Sequence, residues 1–233
     1  MKQAVLEQLL RAQIDRHAIV IVTDLATGKQ WDAADPELPE NAELLAAIED
    51  GERTGKTRIV QTGGQEYFVL PQIPEPRLLL IGAVHISQAL AQMARTCGFD
   101  PIVIDPRTAF ANQSRFEGVR IHAEWPDVAI PEIGLDRHTA VAVLTHDPKI
   151  DDPALHLALS SDVFYVGALG SRRTHEKRVD RLLAAGRNRE QINRIDAPIG
   201  LDIAAANPQE IAVSILAAVV SAWRSTRAGK ARS

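Results

Sequence analysis

Gly167-Ala168-Leu169-Gly170-Ser171-Arg172-Arg173-Thr174 follows the apolar run Val163-Phe164-Tyr165-Val166 and opens an amphipathic stretch that runs to Leu183. A strand, a glycine turn and a helix start in that order form an anion cradle. The glycines let the backbone come close to a ligand, and the free N–H groups of the first helical turn point at it. Cations in a first turn oppose the helix macrodipole, so Arg172 and Arg173 stand where an isolated helix prefers Asp or Glu. A bound phosphate reverses that preference, because guanidinium groups fork onto phosphate oxygens. The opposing reading turns both arginines to solvent or to surface acids.

The pattern on either side of this stretch decides the architecture. Downstream of Pro71-Gln72-Ile73-Pro74-Glu75-Pro76, short apolar strands alternate with helices. Strands are expected at 78–81, 101–104, 119–121, 139–144 and 163–166. Helices are expected at 86–97, from Asp152-Pro153 with Asp152 as cap, after Arg173, and from Asn207-Pro208-Gln209-Glu210 onward. Continuous apolar strands between helices imply a parallel sheet covered on both faces, with ligands at the C-terminal strand ends.

The first seventy residues read differently. Val5, Leu6, Leu9, Leu10 and Ile14 recur at helical spacing. A strand at 18–23 turns back at Thr27-Gly28 toward Trp31. Asn41 caps a helix carrying Leu44, Leu45 and Ile48, expected to end at Gly51, and Thr62-Gly63-Gly64-Gln65 joins a hairpin. The fold class is therefore α/β: a Rossmann-like domain over 73–233 behind a small α+β domain over 1–72.

Composition excludes several function classes. The chain has 233 residues, 45% of them hydrophobic, and a formal net charge of −4. Without a basic field, nucleic acid is not expected as a partner. The single cysteine, Cys97, forbids an internal disulfide, in keeping with a reducing compartment. Glu7 interrupts what a signal peptide would need as an apolar core. The longest apolar run, Ile211 to Val220, is broken by Ser214 and falls short of the ~18 residues of a membrane span. A cytoplasmic protein with no membrane association is expected. Ile211, Val213, Ile215, Leu216, Val219, Val220 and Trp223 surround much of the last helix, which points to a homodimer.

Candidate site residues gather at successive strand ends. Gly82-Ala83-Val84-His85-Ile86-Ser87 keeps the first glycine of the dinucleotide fingerprint but puts Val84 where the middle glycine belongs. Asp105 lies 23 residues after Gly82, at the place of a ribose-binding carboxylate. Arg107, His146, Asp147 and Asp202 collect at the same edge. His85, His146 and Asp147 lack metal-ligand spacing, so no metal site is expected. No nucleophile elbow marks a catalytic residue, and Cys97 reads as a small apolar side chain. NAD(P) binding by an oxidoreductase, or a nucleotide-sensing module, stays open on these residues.

Taken as an ordered series, these residues resemble the XdhC/CoxI family, accessory proteins that mature molybdenum hydroxylases such as xanthine dehydrogenase. The resemblance rests on Gly82-Ala83-Val84-His85, Asp105-Pro106-Arg107, Arg115-Phe116, Thr145-His146-Asp147, the 167–174 segment, and Ala197-Pro198-Ile199-Gly200-Leu201-Asp202. It runs from Pro76 to Arg224. It implies a Rossmann domain that binds molybdenum cofactor (molybdopterin) as cargo and delivers it to an apo-hydroxylase of the xanthine or CO dehydrogenase type. Turnover of a substrate is not implied. The cofactor-binding residues would be Gly82, His85, Asp105, Arg107, His146, Asp147, Gly167, Gly170, Ser171, Arg172, Arg173, Thr174 and Asp202. Longer family members carry a Gly-Gly-Cys motif near the N-terminus; here Thr62-Gly63-Gly64-Gln65 has no cysteine. Sulfur transfer would then fall to a partner such as a cysteine desulfurase.

Overall fold

Alternating burial along Gln65–Gln72, with Tyr67, Val69 and Pro71 inward, makes this segment the spine of an antiparallel sheet. The computed structural model describes residues 3–228 and separates them into two units. The first takes residues up to Pro74 together with those from Ser225; the second runs from Glu75 to Arg224.

In the first unit, α1 (Gln3–Ile14), β1 (Ile19–Asp24), β2 (Gln30–Asp32), α2 (Ala42–Thr54), β3 (Arg58–Thr62) and β4 (Gln65–Gln72) give the sheet order β2-β1-β4-β3. α2 buries Leu44, Ala47 and Ile48 against Val20, Val22 and Val69. Asn41 caps it, accepting the Glu43 and Leu44 N–H groups at 2.9 and 3.2 Å. The expected end at Gly51 is corrected: the helix continues to Thr54, and Gly55 (φ 69°) supplies the left-handed stop. Pro71 also departs from expectation by lying inside a central strand. β3 ends opposite Val69, so at Pro71 β4 has β1 as its one neighbour and a missing N–H costs no ladder bond.

The second unit contains β5 (Arg77–Ile81), α3 (His85–Thr96), β6 (Asp100–Ile104), β7 (Arg120–His122), α4 (Pro126–Ile133), β8 (Thr139–Val143), α5 (Pro148–Leu159), β9 (Tyr165–Ala168), α6 (Arg172–Ala184), α7 (Arg189–Ile192), β10 (Ile195–Asp196) and, up to Arg224, the helix α8 (Pro208–Arg227). Its strands pair in parallel in the order β10-β9-β8-β5-β6-β7. Every residue of β5 and β8 is buried, as a sheet covered on both faces requires. Leu78 and Leu80 face a layer containing α3 and α8, while Leu79 and Ile81 face α4, α5 and α6. The strand order reverses between β5 and β8, so the cleft of such a fold opens there.

Three local expectations in this unit are corrected. α5 starts at Pro148 under an Asp147 cap, and Pro153 lies within it; of two Asp-Pro pairs, the earlier one nucleates the helix. β9 occupies 165–168 rather than 163–166, which places Gly167 in the strand and begins the loop at Leu169. α4 is invisible in the hydrophobic pattern because Pro126 and Pro131 both read as breaks, although Pro126 holds the N-terminal turn where no N–H is needed. The sheet absorbs most of the apolar surface of α8: Ile215, Leu216, Val219 and Trp223 are buried, and Val213 stays exposed. No helix among the described residues is long and apolar enough to cross a membrane.

Gly167 is bare because the chain after β10 lies against it. A Cβ there would stand 2.5 Å from Ile199 Cγ1 and 2.7 Å from the Tyr165 hydroxyl. Gly167→Ala should therefore cost about 1–3 kcal/mol by overpacking. Gly51→Ala, mid-helix with its nearest contact an ordinary 3.5 Å from Pro71, should add up to about 1 kcal/mol. Urea midpoints followed by circular dichroism check the opposite signs.

Candidate functional site

The turn after β5 is shaped by a carboxylate it does not contain. Asp105, at the end of β6 and fully buried, accepts the Ala83 N–H at 2.7 Å. Arg107 closes on the same carboxylate through its backbone N–H (2.9 Å), Nε (2.9 Å) and Nη2 (2.7 Å). Burial alone would raise the pKa of Asp105, but the bonds from Arg107 and Ala83 outweigh it and hold the group below its ordinary value. Its oxygens are thus engaged inside the protein. Arg107 Nη1 makes no hydrogen bond among the described residues.

Gly82 (φ 109°) is required where it stands, because a Cβ would lie 2.5 Å from Thr145 Cγ2. The loops after β5 and β8 touch at this point. Arg115 braces the first loop, donating to the Ala83 and Phe110 carbonyls at 3.0 Å each. Val84 takes the cap position of α3 and brings no side-chain hydrogen bond to it.

These loops enclose a cavity of about 630 Å³ lined by Val84, His85, Ile86, Arg107, Leu144, Thr145, His146, Asp147, Pro148, Leu169 and Pro208. Of the sequence-derived candidates, the structure brings His85, Arg107, His146 and Asp147 together on its wall. His85, His146 and Asp147 are exposed, and Asp147 also caps α5 through the Lys149 N–H at 3.0 Å. Gly82 and Asp105 are not on the wall and shape it from behind. Gly167 is a packing position in β9.

The 169–174 turn reaches the cavity through Leu169. Ser171 caps α6 by accepting the Thr174 N–H at 3.2 Å, and the two hydroxyls lie 3.0 Å apart. Arg172 and Arg173 are exposed and have no ion-pair or hydrogen-bond partner among the described residues. Gly170 (φ 133°) carries the turn. Asp202 lies apart from the cavity; it is exposed and accepts the Ala204 N–H at 3.4 Å as a turn cap. Among the described residues no three His, Cys, Asp or Glu side chains are grouped to hold a metal ion.

Sequence reasoning missed two charged groups behind this wall, Asp151 and Arg178, exposed by only 2% and 1%. Asp151 accepts a hydrogen bond from the Thr145 hydroxyl, which in turn accepts the Asp147 N–H at 3.1 Å. The two residues sit on α5 and α6, and nothing in their spacing announces that packing buries both.

An uncapped helix start and Arg107 favour an anion, and the histidines and Asp147 offer donors and acceptors to a planar heterocycle. The family described as the XdhC Rossmann domain matches residues 78–219, more than half of the chain, and the chain belongs to it. Over 178 residues it is 32% identical to a Bacillus subtilis protein named as a probable xanthine dehydrogenase subunit, covering 75% of this chain and 52% of that protein. It is 33% identical over 148 residues to the molybdenum cofactor insertion chaperone PaoD of Escherichia coli, covering 64% and 40%. The uncharacterized protein YqeB of Escherichia coli shares 33% over 160 residues, covering 68% and 29%. The chain thus spans about half or less of the length of these relatives. A crystal structure described as a xanthine dehydrogenase from Bacillus halodurans shares the fold, with TM-score 0.67 and 22% identity over 95% of this chain and 64% of that one.

Asp151 makes the stability of the site pH-dependent. Burial, with Asp152 nearby, lifts its pKa to about 6 against the opposing pull of Thr145, Arg178 and His146. A folded-state pKa above the unfolded value means that its contribution is full below about pH 4 and is lost as pH rises through about 6. Between pH 7 and pH 5 the protein should therefore gain stability, by roughly 1 kcal/mol. Asp151→Asn should flatten that slope in thermal melts taken across the interval.

Proposed function

We propose that this chain binds the phosphate-bearing pterin of molybdenum cofactor at the C-terminal edge of its parallel sheet and passes it to an apo molybdenum hydroxylase of the xanthine or CO dehydrogenase type. The observation that carries this reading is the 630 Å³ cavity where Arg107, His85, His146 and Asp147 meet beside the uncapped start of α3. A volume of that size suits a small cofactor. The relative named as a molybdenum cofactor insertion chaperone supports the same role. The cofactor is cargo: the residues supply binding, orientation and exclusion of water. Arg172 and Arg173 meet the phosphate from the start of α6. Exposed Leu201, Ile203 and Val213 supply an apolar surface for a second copy or for the client enzyme. A cysteine desulfurase supplies sulfur, since the first unit has no cysteine.

The rival reading, an NAD(P)-dependent oxidoreductase, loses support from Asp105. The carboxylate expected on the ribose is spent on Ala83 and Arg107, and Val84 crowds the pyrophosphate position.

Arg172→Ala with Arg173→Ala should weaken molybdopterin binding at least tenfold, because charge-assisted bonds to phosphate contribute roughly 1.5–3 kcal/mol each. The ligand-free thermal midpoint should hold or rise slightly, since both cations oppose the α6 dipole. Pterin fluorescence and reconstitution of an apo-hydroxylase measure the first effect, calorimetry the second. A sharp fall in midpoint with unchanged affinity would make the arginines structural. Tight NAD binding by the unmutated chain would favour the oxidoreductase.

A further inference from the structure

Arg178 is the largest side chain that the described residues bury completely, and most of its hydrogen-bonding capacity is unused. It lies well inside α6, where long side chains lean back toward the helix N-terminus. Its Nη2 donates to the Leu169 carbonyl at 2.8 Å, so the guanidinium is tucked beneath the turn that starts the helix. Nε and Nη1 are buried and make no hydrogen bond among the described residues. The Asp151 carboxylate stands 3.8 Å from Nη2, beyond hydrogen-bonding distance. Nδ1 of His175, one turn nearer the helix start, is likewise buried and unbonded. Unmet buried donors are rare because each forfeits its bonds to water and receives nothing in return.

We propose that Arg178, with His175, is the floor of a binding site for a tetrahedral oxyanion, a phosphate or phosphate monoester, at the N-terminus of α6 beneath the Leu169–Ser171 turn. The inference rests on the reading of this edge as phosphate-binding and names the group that takes the phosphate. Oxyanion oxygens give Nε and Nη1 the acceptors they lack, and the first-turn N–H groups of α6 add a favourable dipole. Arg172 and Arg173 close over the anion from outside. Access comes from lifting the turn at Gly170, whose φ of 133° no other residue readily adopts. Leu169 lines the main cavity, so the same movement opens the Arg178 guanidinium toward it. Ionised Asp151 is a built-in competitor for the guanidinium.

Calorimetric titration of the full chain with inorganic phosphate, and separately with molybdopterin, tests the site. Arg178→Met should lose phosphate affinity at least tenfold, with a thermal midpoint equal to or above that of the unmutated protein, because the charge it removes is under-paired. Asp151→Asn removes the competitor and should bind phosphate several-fold more tightly; it decides the matter if Arg178→Met does not fold. Absence of saturable phosphate binding by the unmutated chain overturns the proposal. So does full affinity in Arg178→Met, or unchanged or weaker binding in Asp151→Asn. Phosphate bound without molybdopterin upholds this site and sinks cofactor delivery. Molybdopterin bound equally by the unmutated chain and Arg178→Met upholds delivery and sinks this site.

Discussion

A single buried carboxylate organises the functional edge. Asp105 joins the end of β6 to the β5–α3 turn through the Ala83 N–H, and Arg107 locks it from the solvent side. Desolvating a carboxylate costs several kcal/mol, and here three kinds of donor offset it. With Ala83 held, Gly82 must approach Thr145 without a side chain, and Val84 must stand at the helix start. The cavity wall follows from these constraints. Its shape is a consequence of how one negative charge is satisfied.

Arginines then divide the labour at this edge. Arg107 is anchored on Asp105 yet leaves Nη1 without a hydrogen bond among the described residues, and Arg115 ties the β5–α3 turn to its own loop through the Ala83 and Phe110 carbonyls. Arg172 and Arg173 stand exposed at the start of α6, against its dipole and without partners among the described residues. Arg178 is buried, held by Leu169 and loosely faced by Asp151. Three degrees of neutralisation thus stand along one edge, from solvent inward. Asp151, with its pKa near 6, faces the innermost of them at 3.8 Å.

Much of the architecture was legible because it depends on local periodicity. Leu78–Ile81 and Thr139–Leu144 are continuous apolar runs, and only a strand buried on both faces uses such a run. Asn41 and Asn207 stand immediately before their helices, since a short polar side chain there satisfies N–H groups within its own reach. Errors arose where two local signals competed. Asp147-Pro148 and Asp152-Pro153 are equivalent as caps, as are Gly51 and Gly55 as stops; packing against the rest of the unit chose between them.

The sequence by itself determined the parallel sheet, the helix starts and the series of strand-end motifs that carries the family resemblance, because each is an interaction among residues a few positions apart. Tertiary structure alone decided which motif residues line the cavity. Asp105 turned inward because an unpaired N–H twenty-two residues upstream needed an acceptor. Gly167 leaves room for Ile199 and the Tyr165 hydroxyl, a contact that only the packed chain brings about. Asp151 and Arg178, distant in sequence and outwardly ordinary, were buried together when α5 packed on α6. Burial and charge compensation are properties of the packed chain, and no spacing along it encodes them.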